Sequence, residues 1–472
     1  MNILVCGADG FIGRHVCQSL HTAGHTILRT ISRHAQDHNE GRKHPSEHEL
    51  AFDFSTPLSC EQWEKRLDII QHLHGKIDIL INAVGILRES AGQTFEQVHA
   101  QSPIALFQAC AKIGVTGIIQ VSALGPKLEN SNENLADHRD HQHDLHKYEM
   151  ALSNYLKTKR QADLSLRQLS TSYLILRPSL VVGLDGASSQ LFRSLARLPL
   201  IGLPGDGAQQ LQPVHIDDLC EAVQVFVDRI ADGEHLQLTL NAVGPDAMSY
   251  RGMLQHYRRA MKLSEACYLP IPMPLMRWSA RLAQYLPQRV FAPETLNMLC
   301  QHNVADAAAF HAFLGHAPRG PEQWFDGLPP YYLVQQASAV WTHLSLRLSL
   351  ALVWIFSGIV SLMIFPREQS YALLSSVGIG GLFAEPVLIL AALFDIALGI
   401  LCLSRAGAWL WKLQITTIIF YSALIAVNLP EFMQHPFGPL LKNLPILAIL
   451  FFLLWHEPNS TKADRTKIYR AN

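Results

Sequence analysis

From Met1 to about Asn241, short apolar runs alternate with stretches of helical periodicity; beyond residue 340 the polar interruptions become sparse. The first rhythm is that of a parallel sheet covered on both faces. It predicts strands at Asn2–Cys6, Thr26–Ser32, Asp78–Asn82, Gly117–Ser122 and Ser172–Leu176. Helices are predicted between them, such as Ile12–Ala23 and Pro103–Ile113, each ending near a glycine (Gly24, Gly114) of the kind a helix C-cap favours. Pro245–Pro330 is broken by prolines and mostly helical, and reads as a smaller lobe.

The second rhythm is that of membrane spans. Leu348–Phe365 carries no charge and, with Leu344–Arg347, reaches the roughly 20 residues that cross about 30 Å of hydrocarbon. Pro386–Ser404 and Trp409–Asn428 follow, and Pro436–Trp455 is a fourth candidate interrupted by Lys442 and Pro445. Four such runs in succession disfavour a buried soluble bundle. Arg405 and Lys412 flank the turn between the second and third spans, and Lys462, Arg465, Lys467 and Arg470 crowd the tail. The positive-inside rule then puts the N-terminal domain and the C-terminus in the cytoplasm, in a multi-pass inner-membrane protein. The expected division is residues 1–330, with 245–330 as the lobe, a linker at 331–340, a membrane unit at 341–457 and a tail at 458–472.

Composition changes this picture little. A chain of 472 residues fits two or three units, and a net charge of -1 lacks the clustered cations that nucleic acid binding needs. Eight cysteines lie scattered without a C-x-x-C pair, and Met1 leads straight into the first strand, so a reducing, cytoplasmic setting is expected for the soluble part.

The chemistry begins at Gly7-x-x-Gly10-x-x-Gly13, directly after the first strand and opening a helix. There backbone N–H groups and a helix N-terminus can receive a pyrophosphate. The second strand ends at Ser32-Arg33, where an NAD-specific site would present a carboxylate to the ribose. Arg33, assisted by Arg14, suits a 2′-phosphate, so NADP(H) is expected ahead of NAD(H); a solvated Arg33 stacked on adenine is the alternative.

The stretches Cys6–Arg14, Asp53-Phe54, Asn82-Ala83-Val84-Gly85, Leu176–Ser179 and Pro213–Asp218 resemble those of extended and atypical short-chain dehydrogenases/reductases, most nearly the branch of the complex I accessory subunit. The resemblance implies a Rossmann-like doubly wound α/β sheet. It also implies cofactor contacts at Gly7, Gly10, Phe11, Ile12, Gly13, Arg14, Asp53 (at adenine), Phe54, Asn82, Ala83, Val84, Gly85 and Pro178. In that family the Tyr of Tyr155-x-x-x-Lys159 is the general acid/base, and the Lys lowers its pKa while holding the nicotinamide ribose. Ser122 would be the third member, although Ala123 stands where extended members use their last hydroxyl and His99 where the family offers an Asn.

About Val340–Glu457 resembles the DoxX-like membrane family, through Pro366–Tyr371 and His435–Asn443. The expected fold is thus the α/β sheet with its small mostly helical lobe, followed by an all-α four-helix transmembrane domain. Asp395 lies mid-span and needs a partner, for which Arg347, Lys412 and Lys442 are candidates. The insert Glu129–Lys147, rich in His and Asp, matches no closed metal motif and reads as a loop over the site.

Three functions remain open. The first is a membrane-anchored oxidoreductase acting on a lipophilic carbonyl, alcohol or quinone. The second is a non-catalytic nucleotide-binding or redox-sensing membrane protein, and the third a sugar-nucleotide epimerase or dehydratase. Membrane lipid is the expected surrounding partner, nucleic acid is not expected, and the oligomeric state is left open.

Overall fold

The computed structural model describes residues 1–31, 49–90, 92–125, 153–283, 293–300, 303–404, 407–430 and 440–457. Ser32, Arg33, the insert 129–147, Arg405 and the basic tail lie outside the described residues.

Within the unit Met1–Ala337, the apolar runs become β1 (Asn2–Cys6), β2 (Thr26–Ile31), β3 (Glu49–Ala51), β4 (Ile79–Asn82), β5 (Gly117–Val121), β6 (Ser172–Pro178) and β7 (Gln237–Ala242). They pair in the order β7-β6-β5-β4-β1-β2-β3, every pair parallel. Sequence periodicity had not marked β3, which has three residues, or β7, an edge strand whose Gln, Thr and Asn positions dilute its apolar signal. β1 lies between β2 and β4, so the chain order reverses there and a crevice opens beyond the strand's C-terminal end.

The sheet is apolar on both faces. Ile3 and Val5 pack with Val16 and Leu20 of the helix Phe11–Thr22 and with Val223 and Phe226 of the helix Ile216–Ala231. On the opposite face Leu4, Leu28 and Leu80 meet Trp63 and Leu67 of the helix Cys60–His74, and Leu106 and Phe107 of the helix Ser102–Lys112. Each such fully buried side chain contributes about 1.5–3 kcal/mol relative to exposure, which holds the strand ends bearing the site in fixed positions.

The smaller lobe has its own core and draws on two stretches of chain. Val182, Ala196, Ile201 and Leu211 pack with Tyr250, Met253, Tyr257, Trp324 and Phe325. Short strands tie the stretches together, Leu200–Pro204 beside Cys267–Ile271 and Gln210–Leu211 beside Met248–Ser249.

The second unit is Ser338–Asn472. Three helical stretches among the described residues are long and apolar enough to cross a membrane: Pro330–Ile364, whose first residues belong to the first unit and which runs through the segment read as a linker, Gly381–Ser404 and Ala408–Asn428. The apolar helix Asn443–His456 has 14 residues, about 21 Å at 1.5 Å per residue. It is shorter than the fourth span expected from sequence, whose start at Pro436 lies outside the described residues. Glycines bring these helices close. A Cβ on Gly358 would stand 2.5 Å from the Ala392 carbonyl oxygen, and one on Gly399 would stand 2.9 Å from that of Ala351. Asp395 is buried and accepts a hydrogen bond from Ser357 Oγ at 3.3 Å. Arg347, considered from sequence as its partner, donates instead to the carbonyls of Cys402 and Leu403 at 2.8 and 3.2 Å.

Candidate active site

The turn after β1 requires glycine for steric reasons. Gly7 has φ of 78°, and a Cβ there would lie 2.9 Å from the Ala83 carbonyl oxygen. A Cβ on Gly13 would lie 2.0 Å from the Gly7 carbonyl oxygen. Gly10 N donates to that same oxygen at 3.0 Å and caps the helix Phe11–Thr22 without a side-chain acceptor. The first N–H groups of the helix are thus left for an outside acceptor, and the dinucleotide pyrophosphate fits that cradle.

Around the cradle, Phe11 packs so closely on the next loop that a Cβ at Gly183 would come within 2.7 Å of its ring. Ile12 packs against the sheet core. Arg14, expected to assist Arg33, pairs instead with Asp185 at 2.8 Å, and His15 reaches the other carboxylate oxygen at 2.9 Å. The Asp53 carboxylate accepts from Ser55 N at 2.9 Å, which fixes the loop after β3, and Phe54 packs near Trp63 with ring centroids 6.1 Å apart. Asn82 Nδ2 donates to Gln120 Oε1 at 2.7 Å while its Oδ1 accepts from Val84 N at 3.2 Å, so the end of β4 is locked to β5. The carbonyl of Pro178, at the end of β6, accepts from Leu124 N at 2.9 Å.

The helix Asn154–Arg167 starts on Ser153, whose side chain accepts from Leu156 N. One turn separates Tyr155 from Lys159, and both are buried. Lys159 Nζ donates to the Val84 and Val121 carbonyls, each at 3.0 Å. Burial draws its pKa down to about 8, opposed by Asp163. The same cause pushes the Tyr155 phenol up to about 12. The direction is opposite to the lowering implied by the family resemblance, because Tyr155 is packed among Phe95, Ala123 and Leu156 while the ammonium of Lys159 is bonded to two carbonyls.

Gly85 leaves room for two side chains: a Cβ there would stand 3.4 Å from Lys159 Nζ and 3.7 Å from His99 Nε2. His99 lies on a π-turn, Glu96–Gln101, a wider helical turn that proteins often place at functional sites. Its Nε2 accepts from Ile86 N at 3.0 Å, so Nδ1 carries the hydrogen and faces Thr158 Oγ1 at 3.4 Å. Burial, and then Lys159, hold this imidazole neutral with a pKa of about 2. It stands edge-on to Tyr155, with ring centroids 5.1 Å apart.

Ser122 is buried but does not point a free hydroxyl at Tyr155; its Oγ donates to Asp163 Oδ2 at 3.0 Å. Asp163 also receives Arg160 at 3.2 Å and Arg177 at 3.1 Å, and burial still raises its carboxyl to about 6. Sequence reasoning passed over Asp163, although its spacing of four residues from Lys159 places both on one helix face. Thr158 and Asp185 carried no comparable signal.

Residues 3–241 match the NAD dependent epimerase/dehydratase family. The chain belongs to that family. Its cofactor is accordingly a nicotinamide nucleotide, and residues 351–451 match the DoxX-like family, which with the apolar helices makes this a membrane protein. Two curated relatives illustrate the range around this epimerase/dehydratase-family domain. Mitochondrial NADH dehydrogenase (ubiquinone) 1 alpha subcomplex subunit 9 of Mus musculus is 24% identical over 280 residues, 58% of this chain and 64% of that protein. Ceramide reductase of Caulobacter vibrioides is 23% identical over 225 residues, 48% of this chain and 60% of that protein. The chain thus spans a little under two thirds of these relatives' lengths. Among solved structures, UDP-glucuronic acid 4-epimerase of Bacillus cereus, in complex with UDP-glucuronic acid and NAD, is 18% identical with a TM-score of 0.48, covering 71% of this chain and 99% of that one.

Proposed function

We propose that the protein is a membrane-attached, NADP(H)-dependent reductase of a lipophilic carbonyl compound or quinone. The observation that carries this reading is the buried Tyr155–Lys159 pair beside the end of β4. Burial pushes the Tyr155 phenol up to about 12, so it holds its proton at neutral pH; donation to a carbonyl oxygen calls for a value nearer the working pH, and the neighbouring Lys159 ammonium would supply that lowering in the reacting complex.

Bound nicotinamide supplies the hydride. Tyr155 donates its O–H proton to the substrate oxygen, and a proton from solvent restores the phenol. Lys159, a cation anchored by the Val84 and Val121 carbonyls, stabilises the phenolate left in between. Ala123, Phe95 and Leu156 surround Tyr155 with apolar side chains, an environment for a substrate with hydrocarbon beside its carbonyl. The named activity of the Caulobacter vibrioides relative agrees with a lipid carbonyl. In this reading Arg33, after β2 in sequence, takes the 2′-phosphate, and the basic residues flanking the spans support a nucleotide-binding domain on the cytoplasmic side of the inner membrane.

A second reading has support of its own. Ser122 is committed to Asp163 and Ala123 has no hydroxyl, as would suit a nucleotide-binding subunit without turnover, and one relative is named as a subunit of NADH dehydrogenase. NADPH oxidation against long-chain ketones, aldehydes and quinones separates the two, with cofactor binding followed by fluorescence. Turnover in the parent, lost in Tyr155→Phe with binding retained, supports the reductase. Equal turnover in the two proteins would remove Tyr155 from the chemistry.

A further inference from the structure

The core of the smaller lobe contains polar groups that ordinary packing does not explain. Arg193, on the helix Ala187–Arg197, is 1% exposed. One of its nitrogens, Nη2, donates to the Leu184 carbonyl at 2.6 Å, but the buried Nε and Nη1 have no partner among the described residues. Its guanidinium stands 5.9 Å from the centre of the Phe325 ring. The Tyr257 ring lies 5.5 Å from the same ring and 5.9 Å from that of Trp324. Both of these side chains repeat the pattern: the Tyr257 hydroxyl, although near Ser189, makes no hydrogen bond of normal geometry, and Trp324 Nε1 is likewise buried and unpaired.

All four orphaned atoms can donate, and the three on Arg193 and Trp324 can do nothing else. A dry guanidinium is costly unless a counter-charge compensates it. None of the described carboxylates pairs with it, and Asp185, next to Leu184 in sequence, is engaged by Arg14 and His15. A residue kept only to hold the Leu184 carbonyl would need one N–H. Asp185 acts on the guanidinium only through space, and donors around a cation with no bonded carboxylate select an acceptor with negative charge.

We propose that Arg193, Tyr257 and Trp324 form a site for an oxyanion, the carboxylate or phosphate group of an otherwise lipophilic substrate. This rests on the reductase reading for the identity of the substrate, but not for the binding of the anion. Leu184, which Arg193 holds, lies between Gly183 and Gly186, the residues packed on Phe11 of the nucleotide cradle. An acid group bound here would therefore be anchored in the smaller lobe beside the loop that meets the cofactor turn.

The test uses the full chain in detergent, without nucleotide, titrated with inorganic phosphate or acetate against chloride at matched ionic strength. Calorimetry and thermal unfolding report binding. Saturable binding of phosphate assigns a phosphate-bearing substrate, and of acetate a carboxylate-bearing one. Arg193→Met should abolish it; Arg193→Lys, which keeps the charge without the fork, and Tyr257→Phe should each weaken it about tenfold or more, as the loss of a charge-assisted hydrogen bond does. Absence of saturable binding of either anion to the parent would overturn the proposal. So would parental affinity in both Arg193→Lys and Tyr257→Phe, variants that keep the fold testable if Arg193→Met does not fold. Nucleotide binding and Tyr155→Phe turnover are read separately, so failure of the anion site leaves the reductase reading standing, and the reverse.

Discussion

Replacing Gly13 with alanine tests the cofactor cradle at its tightest point. The new Cβ would stand 2.0 Å from the Gly7 carbonyl oxygen, 2.7 Å from its carbon and 3.0 Å from Ala8 Cα. The first of these is short of any normal contact by more than about 1 Å. Every opposing atom is backbone, so no rotamer change relieves the overlap, and Gly7 is itself confined by the Ala83 carbonyl on its other side. The helix Phe11–Thr22 must therefore move away from the turn, at a cost near the upper end of the 1–3 kcal/mol typical of overpacking. That corresponds to a fall of about 4 °C in the unfolding temperature of the nucleotide-binding unit. Its N–H groups would no longer match a pyrophosphate, so NADPH affinity should fall at least tenfold. Gly24→Ala is the control: φ there is 88° with nothing within 4 Å of an added Cβ, so it should cost only about 1–2 kcal/mol of backbone strain and leave affinity unchanged. Scanning calorimetry and nucleotide fluorescence read both effects. Parental NADPH affinity in a folded Gly13→Ala protein would refute the assignment of this turn to the pyrophosphate.

Asn82→Ala should lower stability by about 2–4 kcal/mol, because it leaves Gln120 and Val84 N without their buried partner; chemical denaturation checks this. Lys159 has a folded pKa of about 8 against an ordinary 10.5, so between those values the unfolded chain holds a proton that the folded chain has released, and stability rises with pH. The free-energy difference between parent and Lys159→Met should thus be flat below pH 8 and increase by at most about 3 kcal/mol toward pH 10.5; a flat difference throughout would show that the ammonium is not desolvated. Arg33→Ala should remove a preference for NADPH over NADH in calorimetric titrations, and equal affinities in the parent would remove the NADP(H) assignment.

Much of the fold was legible because it follows from uninterrupted apolar runs. β1, β4, β5 and β6 stand within a few residues of where Ile, Leu and Val put them, and the left-handed glycines Gly24 and Gly114 end their helices as expected. β3 was not legible, since Glu-Leu-Ala carries no period, and its place is set by pairing with β2. Of the fourth span, the described helix Asn443–His456 covers the second half, and the start expected at Pro436 lies outside the described residues.

Within the site, Tyr155, Lys159 and the glycines could be located from sequence, but their electrostatics could not. The direction of the Tyr155 shift depends on burial among Phe95, Ala123 and Leu156, and residue spacing reports neighbours along a helix, not solvent. Ser122 was found by position, yet its hydroxyl turns to Asp163, a partner 41 residues away in sequence. The π-turn that brings His99 to Ile86 N leaves no compositional trace.

The central claim, hydride transfer with Tyr155 as proton donor, is tested most directly by isotope transfer. The full chain is supplied with NADPH deuterated at the transferable ring position and with native membrane lipid extract, and the products are read by mass spectrometry. The account predicts a lipid-soluble alcohol or quinol formed by the parent and not by Tyr155→Phe, with deuterium on carbon in the alcohol and consumption of deuterated NADPH equal to the quinol formed. Reduction by Tyr155→Phe at the parental rate, or no reduced product from any carbonyl or quinone fraction while NADPH is bound, would contradict it.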